Sequence, residues 1–228
     1  MPTPPLAFLS QPIAICPEHI APAPTRLRIK YANGSGSKFT ISQEPENGVF
    51  DAGSAVELFS VDGKALSRSQ HRTFRSTATG LPLFELTRKM SASTPWVIEL
   101  PGRKGGIPSV TLERKTSLFK DHLDAFVQSV DPAGMGGTNE VVLGIHGQDI
   151  WKLRTNVYLG DVVVASAKRT DKMAVYMPGK KLEWVVDVAA GMDMSLVSAI
   201  VVVLATTLYE MSAGGDAAVG VAGAVAAC

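Results

Sequence analysis

The chain has 228 residues, 46% of them hydrophobic and 19% charged, and its 22 basic side chains face 21 acidic ones for a net charge of +1. That apolar content excludes a disordered chain, and a near-neutral balance gives no broad electrostatic basis for binding nucleic acid. Length favours one large core over two small ones, and the two cysteines, Cys16 and Cys228, lie too far apart in the chain to frame a disulfide scaffold or a four-ligand zinc site.

Seven prolines fall within residues 1–25. Each fixes φ and removes a backbone donor, so this stretch reads as an extended leader. It has no basic n-region and no unbroken apolar helix, and so does not read as a secretory signal. Arg26 to Tyr31 alternates polar and apolar residues as a half-buried strand does, and Asn33-Gly34 then reads as a turn. Within the Asn33-Gly34-Ser35 sequon, that turn is favoured over a glycosylation site.

Lys38 to Ser42 is a second strand, and the polar stretch Gln43 to Ser54 a loop or insertion. Val56 to Val61, Asp62-Gly63 and Lys64 to Arg68 together predict a hairpin with a type I′ turn at Asp-Gly. A second hairpin runs from Thr73 to Lys89 around Thr79-Gly80. Trp96 to Leu100 and Ser109 to Arg114 flank a glycine-rich connection. Leu118 to Val130 fits a strand or a short helix, with strand favoured by the Pro/Gly-rich loop after it. Strands follow at Glu140 to His146, Ile150 to Val157, Asp161 to Ala167 and Trp184 to Val188. About ten to twelve short strands with regular turn signals indicate a barrel or sandwich.

Met194 to Tyr209 is the most hydrophobic segment, bounded by Asp193 and Glu210. As a helix of about 1.5 Å per residue it reaches roughly 24 Å, short of the about 30 Å hydrocarbon core, and its flanks are acidic. Val201-Val202-Val203 has strand propensity, but the length favours a helix, with Asp193 as N-cap and Gly214-Gly215 as a later stop. Its apolar residues cover every face of the helical wheel, so it must be buried all round. A closed antiparallel barrel wrapped around it satisfies that demand. The expected organisation is therefore a leader at 1–25, a barrel domain at 26–211 with its helix at about 194–210, and a Gly/Ala-rich tail at 212–228.

The chain resembles the LURP-one-related family from about Pro5 to Met211. The resemblance is carried by Pro5-Leu-Ala-Phe-Leu-Ser-Gln-Pro-Ile-Ala14, Arg26 to Tyr31, Leu58-Phe-Ser-Val-Asp-Gly-Lys-Ala-Leu66 and Ala78-Thr-Gly-Leu-Pro-Leu-Phe-Glu-Leu-Thr-Arg-Lys89 with Trp96. Val163 to Arg169 and Val186 to Leu204 complete it. The ordered set is specific, although no single motif is. It departs from the family pattern at the Gln43–Ser54 insertion, the loop near Gly134 and the tail after Met211. The resemblance implies the fold of the tubby C-terminal domain and of phospholipid scramblases: a mainly β, closed antiparallel barrel of about twelve strands around a central hydrophobic C-terminal helix.

Chemistry-bearing motifs are sparse. His19, His71, His122 and His146 form no metal-ligand spacing, the glycine-rich stretches at Gly34 and Gly134 lack the continuation of a nucleotide cradle, and no GxSxG is present. Asp187 and Asp193 suit backbone capping better than an acid/base pair. No catalytic residue, cofactor or metal is expected.

Tubby-like domains bind phosphoinositide head groups through a basic strand. The nearest counterpart here is Arg88 with Lys89, to which Arg114 and Lys115, Lys168 and Arg169, and Lys180 and Lys181 add charge if they share a face. Such dipeptides are also common as solvated strand ends. The resemblance thus implies a non-enzymatic binding or adaptor module, cytoplasmic and peripheral at phosphoinositide-containing membranes, with protein partners as a further option. The alternative is a membrane-inserted scramblase-like protein using residues 194–209. The cysteine-rich palmitoylation segment of scramblases is missing.

Overall fold

The computed structural model describes residues 5–32, 37–45, 55–63, 69–91, 94–102, 108–115, 122–130, 138–148, 153–170 and 183–207. Its strands are β1 Thr25–Tyr31, β2 Phe39–Gln43, β3 Val56–Gly63, β4 Arg72–Ser76, β5 Pro82–Arg88 and β6 Trp96–Glu99. They continue as β7 Val110–Lys115, β8 His122–Val130, β9 Thr138–Gly147, β10 Arg154–Leu159, β11 Val162–Arg169 and β12 Glu183–Val188. Each strand pairs antiparallel with its neighbours in the chain, and β1 closes the ring on β12 with Leu27 opposite Val186 and Ile29 opposite Trp184. Helix α1 occupies residues 194–207. The expected barrel and helix are both present, and within Leu118–Val130 the strand β8 forms.

Period-2 alternation sends one face of each strand to the core. On β1, Leu27, Ile29 and Tyr31 are buried while Arg26, Arg28 and Lys30 face out. These cations bridge the closing seam: Arg26 lies 2.6 Å from Asp187, Lys30 lies 3.7 Å from Glu183, and Arg28 joins both Glu183 and Glu44. The more exposed Arg26 and Lys30 pairs contribute little individually, the Arg28 pairs are part-buried, and the bridges to Asp187 and Glu183 mark the seam's register.

The helix is covered on all sides. Leu196, Val197, Ala199, Ile200, Val201, Val202, Val203 and Ala205 are each at most 1% exposed. The β-branched run stays helical because the strands of a closed barrel already pair with one another. A strand threaded through the middle would bury its amides and carbonyls without partners, whereas a helix satisfies them internally. Its hydroxyls follow the same rule, with Ser198 Oγ and Thr206 Oγ1 donating to Met194 and Val202 carbonyls at 2.7 Å each. No helix among the described residues is long and apolar enough to cross a membrane.

One end of the barrel is tied to the leader. Fully buried Asp193 caps the helix, its Oδ1 accepting from Ser195 N at 2.8 Å, Leu196 N at 3.2 Å and Ser195 Oγ at 2.6 Å. Its Oδ2 accepts from the leader amides of Ile15 at 3.0 Å and Cys16 at 2.8 Å. Ile13 bridges Met192, and Ile20 bridges Asp193. Gly191 sits beneath Leu9 at φ +87°, where a Cβ would meet Leu9 Cβ at 3.1 Å, so both backbone conformation and space call for glycine. Burial holds the Asp193 carboxyl above the ordinary carboxylate range, against the hydrogen bonds that favour its charged form. Burial, and secondarily Asp193, push the neighbouring Cys16 thiol up to about 12.

One expected turn is displaced. Asp62 and Gly63 are not a type I′ turn but the last residues of β3, paired with Thr73 and Arg72. Gly63 is needed for close approach: a Cβ there would lie 2.9 Å from Ser37 O and 3.1 Å from the Arg72 side chain. The strand expected at 64–68, the Asn33-Gly34 turn, the Gly134 loop, Lys180-Lys181 and the tail lie outside the described residues. The Thr79-Gly80 turn is present, with Gly80 at φ +68°.

Two outcomes test this packing. Val202→Asp places an unpaired charge in the helix core at a cost of several kcal/mol, comparable with the about 5–15 kcal/mol that holds a domain together. It should abolish cooperative melting, whereas Val202→Ala should fold with a lowered Tm; a Val202→Asp protein that melts like the parent would refute the central helix. The second concerns pH. A thiol whose folded pKa is raised stabilises the fold below its unfolded value of 9.0, and that contribution is lost as pH rises toward about 12. In denaturant melts between those limits, Cys16→Ala should therefore lose stability less steeply with pH than the parent; identical slopes would contradict the buried thiol.

Candidate functional site

The barrel end opposite Asp193 is where odd-numbered strands finish and even-numbered strands begin. Here the basic dipeptides are split by the pleat. Residues directly opposed in a sheet share a face, and Arg88 opposes Trp96, Arg114 opposes Leu123 and Arg169 opposes Trp184. All three arginines therefore belong to the inward face. Lys89 points away and pairs with Glu99 at 2.9 Å, Lys115 pairs with Asp124, and exposed Lys168 stands opposite Arg154 on β10.

Arg88 and Arg114 come together in the lining of a cavity at this mouth. The space open to water centres is about 110 Å³. Its walls are Trp96, Leu112, Leu123, Ile145, Trp184 and Leu204, with Thr94, Thr155 and Thr207 as neutral polar groups. Among the described lining residues there is no carboxylate, imidazole or thiol. Arg169 is buried beside this set without lining it. Arg72, absent from the basic dipeptides, is also buried at this end, its Nη2 donating to Thr206 Oγ1 at 2.8 Å and its guanidinium 5.7 Å from the Phe39 ring centroid. Thr94 has φ +44°, a left-handed conformation that a β-branched residue enters only under strain, and it too lines the cavity.

The near-neutral total charge hides an axial separation. At the mouth, β4, β5 and β7 present Arg72, Arg88, Arg114 and Lys115, while β1, β10 and β11 supply Lys30, Arg154, Lys168 and Arg169. The acids on or paired with the same strand ends are fewer: Asp62, Glu85, Glu99, Glu113, Asp124 and Glu183. At the leader end the balance reverses, with Arg26 and Arg75 facing Glu44, Glu57, Glu140, Asp161 and Asp187. Arg154 and Lys168 are directly opposed like charges, a placement that raises the positive potential of the mouth.

The histidines do not build a centre. His122 and His146 stack at 4.2 Å on the outer face, with Tyr158 5.0 Å from His146, while His71 lies 3.2 Å from Glu85 and His19 packs edge-on to Phe59. No group of three or more metal-ligating side chains occurs among the described residues.

A twelve-stranded antiparallel meander closed around one apolar helix defines a tubby-like barrel. Residues 34–205 match the family model described as LURP-one-related, and the chain belongs to that family. No curated protein matches it.

Proposed function

We propose that this protein is a non-enzymatic binding module that docks its basic mouth on phosphoinositide-containing membranes. The observation that carries this reading is the axial charge separation, with inward arginines and outward lysines gathered at one end. Guanidinium groups hold phosphate oxygens in a bidentate fork, and lysines act as point charges around them. Family membership supports the same reading, because tubby-like domains use basic strands for such head groups. The cavity lining favours binding over catalysis: its described polar groups are arginines and threonines, without a general base beside a nucleophile.

Co-sedimentation of detergent-free protein with phosphatidylcholine vesicles, with and without phosphatidylinositol bisphosphate, tests the reading. Binding should require the phosphoinositide and weaken as salt rises. A surface lysine contributes about 1 kcal/mol near an anionic membrane, so Lys89→Ala combined with Lys168→Ala should weaken binding roughly thirty-fold. Equal binding to neutral vesicles, or no change in the double variant, would overturn it.

A further inference from the structure

We infer that the mouth cavity is a binding site for a single-chain amphiphile with an anionic head, its alkyl chain inside the barrel and its head held by Arg88 and Arg114. This goes beyond docking on a membrane surface, because it requires an apolar segment to enter the protein. A site for a head group alone should be lined by donors. Here the walls are mostly aliphatic side chains and the rings of Trp96 and Trp184, with Thr94, Thr155 and Thr207 among them and the two guanidinium groups confined to the strand ends of β5 and β7. An apolar recess with a few convergent polar groups is the usual form of a small-molecule site.

The volume sets the size of the guest. An apolar cavity of about 150 Å³ accepts a six-carbon guest such as benzene, so 110 Å³ accepts roughly four to five carbons. One short alkyl chain therefore fits, and the two chains of a membrane phospholipid do not. Arg88 and Arg114 both make other interactions within the chain. The head group therefore joins or exchanges with those partners. Carboxylate and phosphate heads share the required chemistry, and pentanoate and pentyl phosphate represent the two.

Trp96 and Trp184 line the cavity, so tryptophan fluorescence of the full-length protein reports its occupancy. Titration should show saturable binding of pentanoate and pentyl phosphate, at least tenfold weaker binding of pentanol, and none of acetate. Arg88→Met with Arg114→Met should bring pentanoate down to the pentanol level while leaving pentanol unchanged. Gly147 lines the same cavity, and a Cβ there meets nothing within 4 Å. Gly147→Leu should thus fill the space and abolish binding of all three chains, with near-ultraviolet circular dichroism confirming the fold.

Pentanoate binding that is no tighter than that of acetate, or that survives Gly147→Leu, would overturn the inference. Should Gly147→Leu fail to fold, the pentanoate-to-pentanol ratio in the arginine variant decides: an unchanged ratio refutes the site. Failure here is separable from failure of the membrane reading. Gly147→Leu should keep vesicle binding, and Lys89→Ala with Lys168→Ala should keep pentanoate binding.

Discussion

The rest of the structure depends on the need to cover a helix that is apolar on every face. Residues 194–207 have no polar side to turn to solvent, and a single sheet face or helix pair would leave part of them wet. A ring of strands covers all of it. Closure also removes the free sheet edge that an open β structure must protect. The two components require each other: without the helix, a barrel of this circumference would enclose a void too large for its own inward side chains to fill.

Such a cylinder still has two ends, and the protein treats them differently. At one end the leader is pulled across by Asp193, which gives one carboxylate oxygen to the helix N-terminus and the other to leader amides. This ties the start of the folded chain to the start of its last element. The opposite end has no comparable clasp among the described residues, and there the inward face passes from aliphatic side chains to arginine within two residues. Leu86 gives way to Arg88, Leu112 to Arg114, and Ala167 to Arg169. An arginine can make that transition because its alkyl stem packs against the apolar wall while the guanidinium reaches the polar rim.

Those same steps show how far the site is legible in the amino-acid sequence. Each arginine lies in phase with the apolar positions of its strand, and each adjoining lysine lies out of phase. Period-2 counting alone therefore separates Arg88 from Lys89, Arg114 from Lys115 and Arg169 from Lys168. Treating the dipeptides as units of surface charge misses this. The strands, the helix and its Asp193 cap are legible because alternation, all-round hydrophobicity and capping chemistry are local signals. Trp96, Trp184, Thr94 and Gly147 are not legible as neighbours in one lining, because barrel curvature and strand stagger bring them together across β5–β12. Asp62-Gly63 misleads for a related reason: glycine serves both turns and close approach, and here the Ser37 carbonyl and the Arg72 side chain lie close against Gly63.

Net charge is a poor guide for the same geometric reason. A total of +1 describes a uniform neutral surface and a strongly polarised one equally well. In an up-and-down barrel every strand runs from one end to the other, so a charge near a strand terminus is assigned to an end by the parity of that strand. Cations at the ends of odd strands and the starts of even strands accumulate at one mouth, however widely they are spaced in the chain. Arg72 opens β4 and Arg169 closes β11, yet both are buried at the same rim. The field that a ligand meets at that rim is therefore set by connectivity as much as by composition, and it is strongest where apolar walls keep solvent from screening it.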